Sequence, residues 1–162
     1  MRVLSIIRDS IVDGPGLRTT IFFAGCPHYC KGCHNPKSWN ENGGDMMTVE
    51  EIMDEIGSDP LNNITFSGGE PFMQIDELIV LARELKALNK NIWCYTGFTW
   101  EELQEKFADR FKELGKYIDV LVDGRFVLEE RDLSLVYKGS SNQRIIECQR
   151  SFLESRVCSA GF

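Results

Sequence analysis

The stretch Arg18-Thr19-Thr20-Ile21-Phe22-Phe23-Ala24-Gly25-Cys26-Pro27-His28-Tyr29-Cys30-Lys31-Gly32-Cys33 decides how the rest of the chain is read. Its first half is β-branched and aromatic, the composition of a buried strand, and it runs without a break into three closely spaced cysteines. The cysteines therefore follow the C-terminal end of a strand. C-x3-C-x2-C is compact enough for three thiolates to wrap one metal centre. Soft thiolate ligands suit zinc and iron–sulfur clusters alike. A Cys3His zinc knuckle completed by His28 or His34 would be closed and tetrahedral, whereas three thiolates on a four-iron cluster leave one corner open.

Downstream of the cysteines the pattern alternates. Thr48 and Glu51 have capping-box spacing, Val49, Ile52, Met53 and Ile56 share a helical face, and Gly57 is placed to end that helix. A second strand, Asn63 to Ser67, runs straight into Gly68-Gly69-Glu70-Pro71, and Ile75, Leu78, Ile79, Ala82 and Leu85 then recur at helical spacing. A third, Asn91 to Thr96, turns at Gly97 into a helix opened by Thr99 and Glu102, with Trp100, Leu103, Phe107 and Phe111 as its apolar face. Tyr117 to Gly124 reads as a fourth strand and Gln143 to Gln149 as a last one. Strands alternating with amphipathic helices predict an α/β fold with parallel pairing and right-handed crossovers. An eight-unit barrel takes about 250 residues, so this chain of 162 residues holds only about five strand–helix units and cannot close. The expectation is one domain over residues 1–162, an open partial barrel.

Composition excludes several classes. With 18 Lys and Arg against 25 Asp and Glu, the formal charge is −7, and no basic cluster offers a phosphate-binding surface. Nucleic acid is not an expected partner. The apolar run near the N-terminus is too short for a secretory or membrane segment, so a cytoplasmic protein without a membrane partner is expected. Of the six cysteines, Cys94 and Cys148 sit in apolar strand-like runs and read as buried hydrophobes; Cys158 has no assigned role.

Two glycines in Gly68-Gly69-Glu70-Pro71 let backbone approach a ligand closely, and a carboxylate beside them can meet a cationic amino group; the plain alternative is a strand-to-helix turn. The cysteine loop after one strand and this turn after the next together resemble the radical S-adenosylmethionine superfamily. Asp13-Gly14-Pro15-Gly16-Leu17-Arg18, Cys33-His34-Asn35-Pro36, Tyr95-Thr96-Gly97, Asp119 to Gly124 and Gly139-Ser140-Ser141-Asn142-Gln143-Arg144 narrow the resemblance. They are similar to the glycyl-radical-enzyme activating family, in particular to activators of anaerobic ribonucleoside-triphosphate reductase.

The resemblance implies that Cys26, Cys30 and Cys33 ligate a [4Fe-4S] cluster whose fourth iron takes the amino and carboxylate groups of S-adenosylmethionine. Gly68, Gly69 and Glu70 would meet the methionine end, the Gly32-Cys33-His34 backbone would lie near the adenine, and Tyr95, Thr96 and Asp123 would face the same cavity. No side chain acts as catalytic acid or base, since cluster and cofactor carry the chemistry: reductive cleavage to a 5′-deoxyadenosyl radical that takes hydrogen from a partner glycine. Gly32 stands where many relatives have an aromatic residue, so the adenine must be covered by His34 or a strand-end side chain. By the same resemblance, Asp13 and Arg18 would orient the reductase loop, the missing barrel wall would be the docking side, and a flavodoxin or ferredoxin would supply the electron. An activator of another glycyl-radical enzyme is the neighbouring alternative.

Overall fold

The computed structural model describes residues 1–56 and 59–162, so the helix stop read at Gly57 lies outside the described residues. The strand that begins the argument is β2 (Arg18–Phe23), preceded by β1 (Arg2–Ser10). After the cysteine loop and a short 3-10 turn at Pro36–Trp39 come β3 (Asp45–Met46) and α1 (Val49–Ile56). Then follow β4 (Asn63–Gly68), a 3-10 turn at Pro71–Gln74, α2 (Ile75–Ala87), β5 (Ile92–Tyr95), α3 (Trp100–Phe107) and α4 (Asp109–Leu114). The chain closes with β6 (Val120–Asp123), β7 (Arg144–Glu147) and α5 (Cys148–Glu154).

All seven strands form one sheet in the order β3-β1-β2-β4-β5-β6-β7. The α/β class is as expected, but only β2, β4, β5 and β6 run parallel, four strands rather than about five. The strand at Arg144–Glu147 is antiparallel to β6, and β1 and β3 add two antiparallel strands at the other edge. The last strand reverses because the segment between β6 and β7 holds only a three-residue 3-10 turn and no crossover helix, and a parallel return needs one.

The four parallel strands follow one another in sequence without a reversal, an order that puts every crossover on the same side. Strand alternation records this. Ile92 and Cys94 of β5 join the large core shared with the helices, while Trp93 and Tyr95 face the opposite side with Val120, Val122, Ile145 and Tyr137. Helices therefore cover one face and leave the other to loops and the C-terminal ends of the strands.

Two helix starts follow their sequence signals. Thr48 and Glu51 exchange hydrogen bonds in a reciprocal capping box, and the Thr99 hydroxyl accepts from Glu102 N at 3.1 Å. The helix read as continuous through Phe111 instead breaks at Ala108, whose φ of 45° and ψ of −115° interrupt the ladder; Phe111 belongs to α4. It still packs on Trp100, at 4.8 Å between ring centroids. Cys94 in β5 and Cys148 are both buried as expected, though Cys148 opens α5 instead of lying within the last strand.

Arg18 is fully buried, which corrects its reading as a loop-orienting side chain. It donates to Thr65 Oγ1, to the Pro15 and Ile64 carbonyls and to Asn91, and its guanidinium lies 5.6 Å from the Trp93 ring centre. Burial lowers its pKa to about 10. It ties the Asp13–Gly16 turn to the N-terminal ends of the strands.

Candidate functional site

Register aligns the ends of the parallel strands. Phe23 pairs with Gly68, Phe66 with Cys94, and Tyr95 with Val122, so four loops emerge side by side: Gly25–Cys33, Gly68–Pro71, Tyr95–Gly97 and Asp123–Gly124. They open onto a cavity of about 530 Å³, within the usual range for a small-molecule site. Cys26, Cys30 and Cys33 all border it, all three are free thiols, and all are partly exposed. Burial raises the Cys26 thiol to about 11 against the pull of the His28 backbone N–H. Asn35 N–H points at Cys33 Sγ from 3.4 Å.

Neither histidine is placed to close a zinc site on these thiols. His28 Nε2 is 2.7 Å from Glu70, and His34 packs on Phe126 at 5.2 Å. Among the described residues no three His, Cys, Asp or Glu side chains converge closely enough to hold a single ion. Three soft thiolates with no histidine beside them as a fourth donor are a donor set that suits an iron–sulfur cluster with one open corner.

Of the other residues expected at the site, His34, Gly68, Gly69, Tyr95 and Thr96 border the cavity. Gly32, Glu70 and Asp123 do not. A Cβ on Gly32 would meet Leu128 at 2.9 Å and Phe126 at 3.3 Å, so residue 32 backs onto the loop between β6 and β7. Asp123 is buried beneath the floor, where it accepts from Trp100 N at 2.8 Å at the start of α3 and from the Arg144 guanidinium. It secures a helix start and the last strand.

Glu70 is fully buried, and its carboxylate is shared among several donors. Gly97 N and His28 Nε2 each lie 2.7 Å from Oε1, Phe72 N lies 3.1 Å from Oε2, and the Thr96 hydroxyl reaches both oxygens within 2.9 Å. The two preceding glycines serve a close approach between backbones. Gly68 has φ +98° and would drive a Cβ into Phe23, while Gly69 would drive one into Gly25. In return Gly69 N–H donates to Phe23 O at 2.8 Å and Glu70 N–H to Gly25 O at 2.7 Å, stapling the entry of the cysteine loop to the next strand.

Sequence reading missed the cavity's second wall, residues 126 to 143 of the β6–β7 loop. Phe126, Leu133, Tyr137 and Lys138 border the cavity. The Gly139–Arg144 motif proves to be the clasp of this loop. Gln143 Oε1 accepts from Gly139 N at 2.8 Å, its Nε2 donates to Gly124 O, and Lys138 Nζ donates to the Gln143 carbonyl. The clustering of Gly, Ser and Asn announced a turn, but its target could not be read locally. Asp13 also borders the cavity, held by Ser10 at 2.6 Å and Thr20 at 3.0 Å.

A sheet wound on one face, with three free thiols gathered at its strand ends, defines a soft-metal-binding protein with one ligand loop. The family model described as "4Fe-4S single cluster domain" matches residues 12–146. The anaerobic ribonucleoside-triphosphate reductase-activating protein of Haemophilus influenzae is 34% identical over 154 residues, 90% of this chain and 97% of that protein. Its counterpart in Vibrio cholerae is 38% identical over 145 residues, 83% of this chain and 90% of that protein. The one in Enterobacteria phage T4 is 34% identical over 143 residues, covering 83% and 86%. The chain belongs to the family of anaerobic ribonucleoside-triphosphate reductase-activating proteins. No helix among the described residues is long and apolar enough to cross a membrane.

Proposed function

We propose that this chain is a radical S-adenosylmethionine oxidoreductase that generates a glycyl radical on anaerobic ribonucleoside-triphosphate reductase, with Cys26, Cys30 and Cys33 holding a [4Fe-4S] cluster. The observation that carries this reading is the gathering of three free, partly exposed thiols and the Gly68-Gly69 backbone on one cavity at the ends of parallel strands. When bound, cluster and cofactor supply one-electron cleavage of the sulfonium to methionine and a 5′-deoxyadenosyl radical that takes hydrogen from a partner glycine Cα.

The chain's own residues bind, orient and shield. Gly68 and Gly69 would border the methionine end, and the buried side chain of Glu70 behind them would hold that corner in shape through its bonds to His28, Thr96 and Gly97 N. His34 and Phe126, already in ring contact, supply the aromatic cover that Gly32 lacks. Tyr95 stiffens the facing wall by donating to Tyr137 O at 2.7 Å. Asp13 lies at the mouth, where a reductase loop would enter. The sheet, wound on one face and open at its edges, acts as a partial barrel whose missing wall the reductase completes, keeping the radical from solvent. Residues 1–162 work as one domain in the cytoplasm, with a flavodoxin- or ferredoxin-type protein as electron source.

After anaerobic reconstitution and reduction, the protein is expected to cleave S-adenosylmethionine and, with the reductase, to give a glycyl-radical electron paramagnetic resonance signal. Cleavage without any signal on the reductase would overturn the substrate assignment. Phe126→Ala is expected to raise KM for S-adenosylmethionine about 10-fold with kcat little changed, since base–aromatic stacking is worth roughly 1–3 kcal/mol. An unchanged KM would remove Phe126 from the site.

A further inference from the structure

The cysteine loop has little backbone support of its own. Between Pro27 and Gly32 the described residues show a single backbone-to-backbone hydrogen bond, from Cys33 N–H to the Cys30 carbonyl at 3.1 Å. Tyr29 at its crest takes a left-handed φ of 48°. Side chains must therefore hold the loop in shape. On the outer side Tyr29 packs edge-on against Trp39, at 5.1 Å between ring centroids. On the inner side the tie is His28.

We propose that His28 is a positioning residue, a strut that hangs the Cys26–Cys30 arc from Glu70, and that residue 97 is glycine because the His28 ring occupies the space of its side chain. The imidazole is almost fully buried, with Nε2 2.7 Å from Glu70 Oε1 and the ring edge-on to Phe98 at 4.6 Å. A carboxylate offers only acceptors, so Nε2 is assigned the shared proton. Glu70 also takes the Gly97 N–H, so a single side chain joins the loops that leave β2, β4 and β5. Gly97 has no left-handed backbone to explain it. A Cβ there would overlap the His28 ring, at 2.7 Å from Nε2 and 2.9 Å from Cγ. The glycine of Tyr95-Thr96-Gly97 is thus a seat for a residue almost seventy positions earlier.

The strut rests on the reading that these thiols hold the cluster, and its test includes readouts that do not require S-adenosylmethionine chemistry. Gly97→Ala, His28→Ala, their double variant and His28→Gln would be reconstituted anaerobically. Iron and sulfide per chain, the resonance spectrum of the reduced cluster without cofactor, and the cleavage rate would then be measured. Each single alanine variant is expected to shift the g-values and to lower cleavage about 10-fold, the lower end for residues that orient metal ligands. In the His28→Ala background, adding Gly97→Ala is expected to change nothing further, because the ring it collides with is gone. His28→Gln, which keeps a donor on a flexible side chain, is expected to recover most of the spectrum and to soften the Gly97→Ala defect.

A His28→Ala protein with the wild-type spectrum and cleavage within about twofold would overturn the proposal. So would a Gly97→Ala defect equally severe with and without the His28 ring. Should His28→Ala fail to fold, the His28→Gln and Gly97→Ala pair gives the same decision: equal damage in both backgrounds refutes the strut. A cluster that assembles normally but never cleaves S-adenosylmethionine would count against the proposed function, while the g-values and iron content would still decide the strut.

Discussion

Cys30→Ala is expected to purify folded but with roughly a tenth or less of the wild-type iron and sulfide after reconstitution, and to lose S-adenosylmethionine cleavage by more than about 100-fold. The fold should survive because Cys30 is partly exposed on a loop outside both apolar cores. No neighbour can replace the lost thiolate. His28 is engaged by Glu70, His34 is packed on Phe126, and Cys94, Cys148 and Cys158 are buried. Burial raises the thiols of Cys94 and Cys148, which makes them poorer ligands still. Iron analysis and the cleavage assay check this together; retained cleavage would refute the ligand assignment.

Glu70→Ala is expected to damage both stability and activity. Removing the carboxylate leaves the Gly97 and Phe72 N–H groups, the Thr96 hydroxyl and His28 Nε2 without their buried acceptor at the wall of the cavity. An unsatisfied buried donor costs about 1–3 kcal/mol, and incoming water recovers part of that, so a loss of about 3–5 kcal/mol in denaturant unfolding of the apo-protein is expected. Cleavage should fall about 10- to 100-fold, since the His28 tie to the cysteine loop and the anchors of the Thr96–Gly97 loop go together. Glu70→Gln keeps the volume and one acceptor oxygen but turns an NH2 toward donors, so an intermediate stability is expected. If Glu70→Ala unfolds at the wild-type denaturant midpoint, the carboxylate is not the keystone that its bonds suggest.

Much of the framework was legible along the chain because it rests on local chemistry. The strand feeding Cys26, the capping boxes at Thr48 and Thr99, and the turn at Gly68-Gly69 each depend on residues a few positions apart. Sheet edges were less legible. β1 exposes much of its length, and so carries little apolar alternation, while the antiparallel sense of β7 depends on a loop that doubles back instead of forming a helix. The break at Ala108 was hidden because Trp100 and Phe111 meet on either side of it, as they would in one helix.

The three cysteines, their spacing and their position after a strand were determined by sequence alone, because ligation chemistry and strand composition are written in consecutive residues. What surrounds them was decided only in three dimensions. Glu70 turns inward to four donors, Arg18 is sealed beneath the sheet, Asp123 secures a helix start, and Phe126 arrives from a loop more than ninety residues beyond Gly32. The physical reason is common to all of them. A buried polar group must find partners wherever the backbone brings them, and parallel strands bring to one rim loops that lie far apart in the chain.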